Sequence, residues 1–210
     1  MSGITVRRAT TADTDAAAFV LADAFTDYAW TRWTVDAVDH VERVRSLQRL
    51  VIEKVALPYG QVWVALDEHD AVASVAVWML PTITVPEAVL TEIGGEQAAL
   101  EGGRHAASVA AELALSQSRP QAAHYYLGTV GTRRDRQGRG YGAAVLAPIV
   151  ERARAEHAAL YLETSAPDNV RFYTRLGFEI AAELDVPGGG PHVWAMRGVD
   201  ATEAGPSRLT

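Results

Sequence analysis

The run Gln137-Gly138-Arg139-Gly140-Tyr141-Gly142 constrains the fold more than any other segment. It follows HYYLGTVGT, a β-rich apolar stretch, and opens YGAAVLAPIVERARAEHA, whose apolar residues keep helical spacing. Glycines in a strand-to-helix turn let the backbone approach an anion closely, and the first N–H groups of the helix then point at it. Arg133, Arg134, Arg136 and Arg139 surround the same turn, and together these describe a diphosphate site; the alternative is a tight turn bearing a solvated charge run. The chain as a whole is acidic, with 19 Lys and Arg against 26 Asp and Glu and a net charge of −7. A polymer of phosphates needs a broad basic face, so nucleic acid is not an expected partner.

The remaining pattern predicts an α+β (mixed α/β) fold with strands and helices in the order β-α-α-β-β-α-α-β-α-β-α-β-β. ITVRRA alternates as a half-buried strand, and TTADTDAAAFVLADAF follows with helix-capping residues at its start. A helix is expected from about Val35 to Leu57, stopped by Pro58. QVWVAL and AVASVAVWML read as a hairpin, and residues 86–117 as two short helices punctuated by Gly94-Gly95 and Gly102-Gly103. Pro148 is expected to kink or weaken the helix after the glycine turn. ALYLETSA, NVRFYTRLG, FEIAAELDV and HVWAMRG complete the chain as strand, helix and two strands. One domain is expected over residues 1–197, with a flexible tail over 198–210. No segment approaches the roughly 20 apolar residues of a membrane span, so no membrane partner is expected. The absence of cysteine fits a cytoplasmic protein and excludes thiol nucleophiles and cysteine metal sites. The histidines show no metal spacing, and no metal is expected.

Three phosphate chemistries compete for the glycine turn. A Walker A loop needs G-x-x-x-x-G-K-[ST], which the chain lacks. Gly138 to Ala143 fit the dinucleotide pattern G-x-G-x-x-A, with Glu163 roughly 20 residues on. That pattern places its first glycine at the strand end, whereas Arg133–Gln137 intervene here, and only one β-α-β unit is present. Coenzyme A is the third.

The stretch YLGTVGTRRDRQGRGYGAAVL resembles the acetyl-CoA motif [QR]-x-x-G-x-[GA] of GNAT-type N-acetyltransferases. Asn169-Val-Arg-Phe-Tyr-Thr-Arg-Leu-Gly-Phe178 resembles the same superfamily's N-x-x-F-Y-x-x-x-G-F motif. Within the superfamily, FTDYAWTRWTVD, HVERV, ETSAP and FYTRLGF resemble the puromycin N-acetyltransferases. Arg134 departs from the frequent proline, and residues 81–117 diverge. The resemblance implies a mostly antiparallel central sheet, splayed at the acetyl-CoA site and flanked by helices. It implies direct acetyl transfer from acetyl-CoA to an amine, in a monomer or homodimer.

On that resemblance, Gln137, Gly138, Arg139, Gly140, Tyr141, Gly142 and Ala143 hold the pyrophosphate, with Arg133 or a neighbouring arginine on the adenosine phosphate. Val130 and Thr132 lie along pantetheine, and Asn169 either bonds that arm or caps its helix. Tyr173 matches the tyrosine that hydrogen-bonds the leaving sulfur. A phenol near 10 and a thiol near 8.5 make full proton transfer uphill, so a hydrogen bond to the forming thiolate describes its role. Glu163 is the first candidate for the base, with Glu92 and His124 as others. Tyr28, Trp30, Trp33, Glu92, His124 and Tyr125 are candidate acceptor contacts. The expected acceptor is the primary amine of a small molecule. A peptide or protein amine, or acetyl-CoA binding without catalysis, are the alternatives.

Overall fold

The structure is a computed structural model that describes residues 3–198; nearly all of the expected tail over 198–210 lies outside the described residues. The elements are β1 (Thr5–Arg8), α1 (Thr14–Phe25), α2 (Ala29–Thr34), α3 (His40–Val51), α4 (Leu57–Tyr59), β2 (Gly60–Leu66) and β3 (Val72–Met79). There follow α5 (Glu87–Glu101), α6 (His105–Ser116), β4 (His124–Thr132), α7 (Tyr141–Ala155), β5 (Ala159–Thr164), α8 (Pro167–Arg175), β6 (Phe178–Asp185) and β7 (His192–Gly198).

The strands form one open seven-stranded sheet in the order β1-β2-β3-β4-β5-β7-β6. Only β4 and β5 run parallel; every other neighbouring pair is antiparallel. The fold is therefore mixed α/β, as the sequence pattern predicts. Both faces of the central strands are covered, which explains why QVWVAL and ASVAVWM are almost unbroken apolar runs. One face packs Val62, Val64, Val75 and Val77 against Ala17, Val20 and Leu21 of α1 and Ile52 and Ala56 beyond α3. The other packs Ala65, Ala76, Trp78, Tyr125 and Leu127 against Val145, Leu146 and Ile149 of α7.

The sheet parts in the middle. His124–Leu127 pair with Ala159–Leu162, but from Gly128 to Thr132 strand β4 keeps only β3 as a neighbour. Gly128 is the extra residue of a bulge between the Val77–Thr129 and Trp78–Leu127 pairs. A bulge bends its strand and ends regular pairing on that side. One edge of β4 is thus left without a strand partner beside α7 and α8.

Three local expectations change. The stretch between the first two expected helices, given no element by the sequence pattern, contains α2, six residues long and too short to form alone. Thr31 Oγ1 donates to the carbonyls of Phe25 and Tyr28, and Trp30 and Trp33 pack against Ala111 and Leu115 of α6. The second expected helix begins at His40, and Pro58 does not stop it at Leu57. It continues through a π-turn over Ile52–Ala56 into α4, and Pro58, with no N–H to contribute, falls beside that change of pairing. Gly94 and Gly95 lie inside α5, whereas Gly102 at φ 62° ends it. Helix α7 runs through Pro148.

Candidate active site

The parted strands open onto a groove with two lobes. The first has a volume of about 560 Å³ and is walled by the glycine turn, the start of α7 and the inner side of α8. Gly138 and Gly140 hold φ of 73° and 88°, the left-handed region that favours glycine. Gly140 caps α7, so the unpaired N–H groups of Tyr141, Gly142 and Ala143 lie at the positive end of a 15-residue helix. A Cβ on Gly138 would meet nothing within 4 Å, and one on Gly142 would lie 3.5 Å from Phe172 and Thr132. A phosphate-sized space bounded by free amides is the result. Val130, Thr132 and Gln137 line the same lobe, as does Arg175. The donor set and the unpaired β4 edge fit the pyrophosphate and the amide-rich arm of coenzyme A.

Most of the basic island is spoken for inside the protein. Arg136 pairs with Asp67 at 3.0 Å and Glu68 at 3.0 Å, Arg133 with Asp135 at 2.7 Å, and Arg134 with Asp27 at 2.8 Å. Arg133 does not line the phosphate lobe. Arg139 is exposed beside the turn rather than in the lobe's wall. Arg139 and Arg175 have no ion-pair partner among the described residues. Arg175, which sequence reasoning missed, occupies a free position of the N-x-x-F-Y-x-x-x-G-F motif, where the pattern names no residue.

The second lobe, about 540 Å³, shares Phe25, Tyr28, Val130, Asn169 and Tyr173 with the first. Tyr173 is 5% exposed and packs between Phe172 and Phe178, yet its hydroxyl has no hydrogen-bond partner among the described residues. Burial, and then the Tyr28 phenol nearby, push its pKa far above the ordinary phenol value. The proton therefore stays on Tyr173 across the working pH range, available as a donor where the lobes meet. Tyr28 is fixed in turn: its hydroxyl accepts from the Ser165 N–H at 2.7 Å and lies 3.1 Å from Thr164 Oγ1. Asn169 Nδ2 donates to the same Thr164 oxygen at 3.0 Å. Asn169 sits within the first turn of α8, whose N-cap is Ala166, so capping is not its role.

The second lobe is largely apolar. Val51, Val55, Met79, Val85, Ile93, Leu115 and Val193 form its walls, with Tyr28, Trp30 and Tyr126 as aromatic faces. Helices α5 and α6 close over it, so the divergent stretch 81–117 supplies part of its lining. Its charged groups are Glu163 and Glu112. Glu163 is clamped by Arg119, whose Nε reaches Oε1 at 2.9 Å and whose second guanidinium nitrogen reaches Oε2 at 3.0 Å. Tyr126 donates to Oε2 at 2.9 Å and Tyr161 to Oε1 at 3.1 Å. Arg119 also pairs with Glu112. Burial alone would lower the Arg119 pKa, but its bond to Glu163 raises it above the usual guanidinium value. Burial and the Glu163 charge push Tyr126 and Tyr161 up, so both phenols stay protonated donors. Arg119, Glu112 and Tyr161 were not singled out from sequence. Arg119 lies in the α6–β4 connection, outside any motif, and only three-dimensional proximity reveals it.

Several expected acceptor contacts are placed elsewhere. Tyr125 faces the α7 side of the sheet, where its hydroxyl donates to Glu156 at 2.6 Å; strand alternation sends Tyr126, not Tyr125, towards the lobe. Trp33 packs with Val186 and Val193, 4.1 Å beneath the Arg104 guanidinium, and does not reach the lobe. Glu92 is exposed and paired with Lys54 at 3.2 Å. His124 bonds the Ala122 carbonyl at 2.8 Å and sits against the edge of Tyr161 outside the lobe. Tyr28, Trp30 and Glu163 do line it. Among the described residues no group of three or more His, Asp or Glu is placed to hold a metal ion, and no helix is long and apolar enough to cross a membrane.

A parted mixed sheet, a phosphate-binding glycine turn at the start of a helix and a buried tyrosine at the junction together define an acyl-CoA-dependent acetyltransferase. The sequence model of the acetyltransferase (GNAT) family matches residues 22–178, and the chain belongs to that family. A solved structure described as histone acetyltransferase HPA2 and related acetyltransferase, from Corynebacterium glutamicum, is 29% identical with a TM-score of 0.71. The match covers 95% of this chain and 98% of that one. The ribosomal-protein-S18-alanine N-acetyltransferase of Escherichia coli superposes at a TM-score of 0.55 and 14% identity, covering 99% and 100% of the two chains. The polyamine N-acetyltransferase of Drosophila melanogaster gives 0.54 and 18% identity, covering 93% and 99%. The last two share the fold, one with a protein amine as acceptor and one with a small molecule by their names.

Proposed function

We propose that this protein transfers the acetyl group of acetyl-CoA directly to a primary amine of a small molecule of puromycin-like type. The carrying observation is that two lobes, one lined by backbone amides and one apolar, meet at the unpartnered Tyr173 hydroxyl. The first lobe holds the pyrophosphate on the amides from Gly138 to Ala143. Pantetheine follows the free edge of β4 past Thr132 and Val130, and Asn169 and Tyr28 flank its end. An amine entering from the second lobe attacks the thioester carbonyl. The new N–C bond forms as the C–S bond breaks, and the electron pair goes to sulfur, where the Tyr173 O–H stabilises it. A backbone N–H on the β4 edge polarises the carbonyl oxygen, in the manner of an oxyanion hole.

Closure of α5 and α6 over an apolar lobe supports a compact acceptor rather than an extended peptide. Trp30 and Tyr126 offer flat faces to an aryl or nucleoside group. Acetylation of such an amine would inactivate an antibiotic or tailor a natural product, in the cytoplasm where acetyl-CoA is made. The test is CoA release across puromycin, other antibiotic amines and short peptides. Turnover of a small amine with inert peptides is the expected result; turnover of peptides alone would overturn the small-molecule assignment.

A further inference from the structure

Glu163 is the best-placed carboxylate for deprotonating the acceptor, yet each of its oxygens already accepts two hydrogen bonds. The groups facing it can be enumerated. Arg119 comes from the α6–β4 connection, Glu112 from α6, Tyr126 from β4 and Tyr161 from its own strand. From β7 it is paired with Ala195, which brings no charge. Elsewhere the lobe is lined by the phenols of Tyr28 and Tyr173, with no histidine or lysine among the described residues. Glu112, at the solvent side, is itself paired with Arg119. Among the described residues, Arg119 therefore engages both carboxylates of the lobe, and the inner one, Glu163, has two donors on each oxygen.

We propose that Arg119 holds Glu163 as a fixed wall rather than a base, so that this enzyme selects weakly basic primary amines, those beside a carbonyl, over alkyl amines. This rests on the acetyltransferase function proposed above and narrows its acceptor class. The amine attacks already neutral, having left its ammonium proton in water. After attack, the nitrogen gives up its one surplus proton to water, and water returns one proton to the CoA sulfur, giving amide and free thiol. Selectivity follows from arithmetic. An α-amine of pKa near 8 is roughly 10–20% neutral at pH 7, and an alkyl amine near 10.4 is below about 0.1%. Without an enzymic base, that ratio of more than a hundredfold enters kcat/KM, offset in part by the greater intrinsic nucleophilicity of the more basic neutral amine. Arg119 is thus a positioning residue for specificity.

The test uses phenylalanine amide and 2-phenylethylamine, which share a ring and differ in whether the amine neighbours a carbonyl. For each, kcat/KM is measured from pH 6 to 10 with saturating acetyl-CoA. The expected result is a rise of about tenfold per pH unit up to each amine's own pKa, and a preference of about tenfold or more for the amide at pH 7. Glu163→Gln keeps both midpoints and keeps the preference within about threefold, even where the rate falls. Arg119→Met frees the carboxylate and raises the alkyl amine at least tenfold relative to the amide. Equal rates at pH 7, or one midpoint common to both amines and lost in Glu163→Gln, would overturn the proposal. Should Arg119→Met fail to fold by circular dichroism, the Glu163→Gln profiles decide, since Arg119 keeps Glu112 there. If only peptides turn over, the small-molecule assignment falls separately. The same profiles, taken on an α-amine peptide and on an N-blocked lysine peptide, then decide the clamp.

Discussion

Asp67 and Arg136, at opposite ends of the chain's central half, meet at 3.0 Å and fasten the β2–β3 turn to the phosphate loop. The Asp67 side chain is 2% exposed. Burial would raise its pKa, but N–H donors from His69 and Ala71 and the Arg136 charge outweigh burial and hold it below the usual carboxylate range. Asp67→Asn should loosen the segment that presents Gln137 and Gly138. We expect acetyl-CoA KM to rise about three- to tenfold with kcat changed less than twofold, and a stability loss of about 1–3 kcal/mol. The sign of the pH dependence follows from the lowered pKa. The stability difference between wild type and Asp67→Asn is full above about pH 4 and closes as pH falls through the depressed folded value. Urea melts at pH 7 and at pH 3 measure it, and a constant gap would refute it.

Tyr173→Phe removes one oxygen and no packing. The hydroxyl bonds to no described protein group, and the ring keeps its contacts with Phe172 and Phe178. Stability should change by less than about 0.5 kcal/mol, since no buried partner is left unsatisfied. The rate should fall about a hundredfold at constant acetyl-CoA KM, the signature of a donor used only as sulfur gains charge. An unchanged kcat in steady-state assays would remove Tyr173 from the chemistry.

The raised Tyr173 pKa also has a visible consequence. A phenol of ordinary pKa would deprotonate near pH 10 and switch its donor off. Here kcat at saturating acceptor and acetyl-CoA should show no falling limb up to pH 10. A decline that begins near pH 9 in wild type and is absent from Tyr173→Phe would contradict the buried, protonated state.

How far the sequence reached depended on whether a residue's role is local. Gly138 and Gly140 are legible because a strand–turn–helix step needs positive φ, and φ is a property of the residue itself. Tyr173 is legible through a short motif on one helix. Tyr125 and Tyr126 show the limit: adjacent letters in a strand face opposite sides of the sheet, and the acceptor side is fixed only once β4 is paired. Glu163 was visible, but the fact that disqualifies it as a free carboxylate was not. Arg119 lies 44 residues away along the chain, and nothing in its neighbours signals the pairing. The arginine island misled for a related reason. Apart from Asp135, its counter-charges, Asp27, Asp67 and Glu68, come from distant segments, so a cluster that reads as a phosphate site is mostly a set of internal ties.

Gly140 tests the phosphate cradle directly. At φ 88° a side chain is strained whatever space surrounds it, and the nearest atom to an added Cβ is Ile4 Cδ1 at 3.8 Å. Gly140→Ala should therefore cost about 1–2 kcal/mol through the backbone rather than through a clash. Relief of that strain would turn the α7 amides away from the first lobe. Calorimetry should show CoA binding weakened at least tenfold while the acceptor KM stays within twofold. Equal weakening of both ligands would mean general unfolding rather than loss of the cradle.

Arg175 and Arg133 give opposite expectations for the same charge change. Arg175 lines the first lobe with no carboxylate paired to it among the described residues, so its guanidinium is free to meet a phosphate. Arg133 is committed to Asp135 at 2.7 Å and lies 3.7 Å from Asp67. Removing Arg175 should weaken CoA about three- to tenfold, in line with loss of one partly exposed charge-assisted bond. Removing Arg133 should change it less than twofold, since its charge is already balanced within the protein. Salt supplies the discriminating readout. Screening acts on exposed charges over roughly 8 Å at 0.15 M, so the salt dependence of CoA binding should flatten in Arg175→Ala and persist in Arg133→Ala. The reverse order would return the phosphate contact to the arginine island and leave Arg175 a solvated helix end.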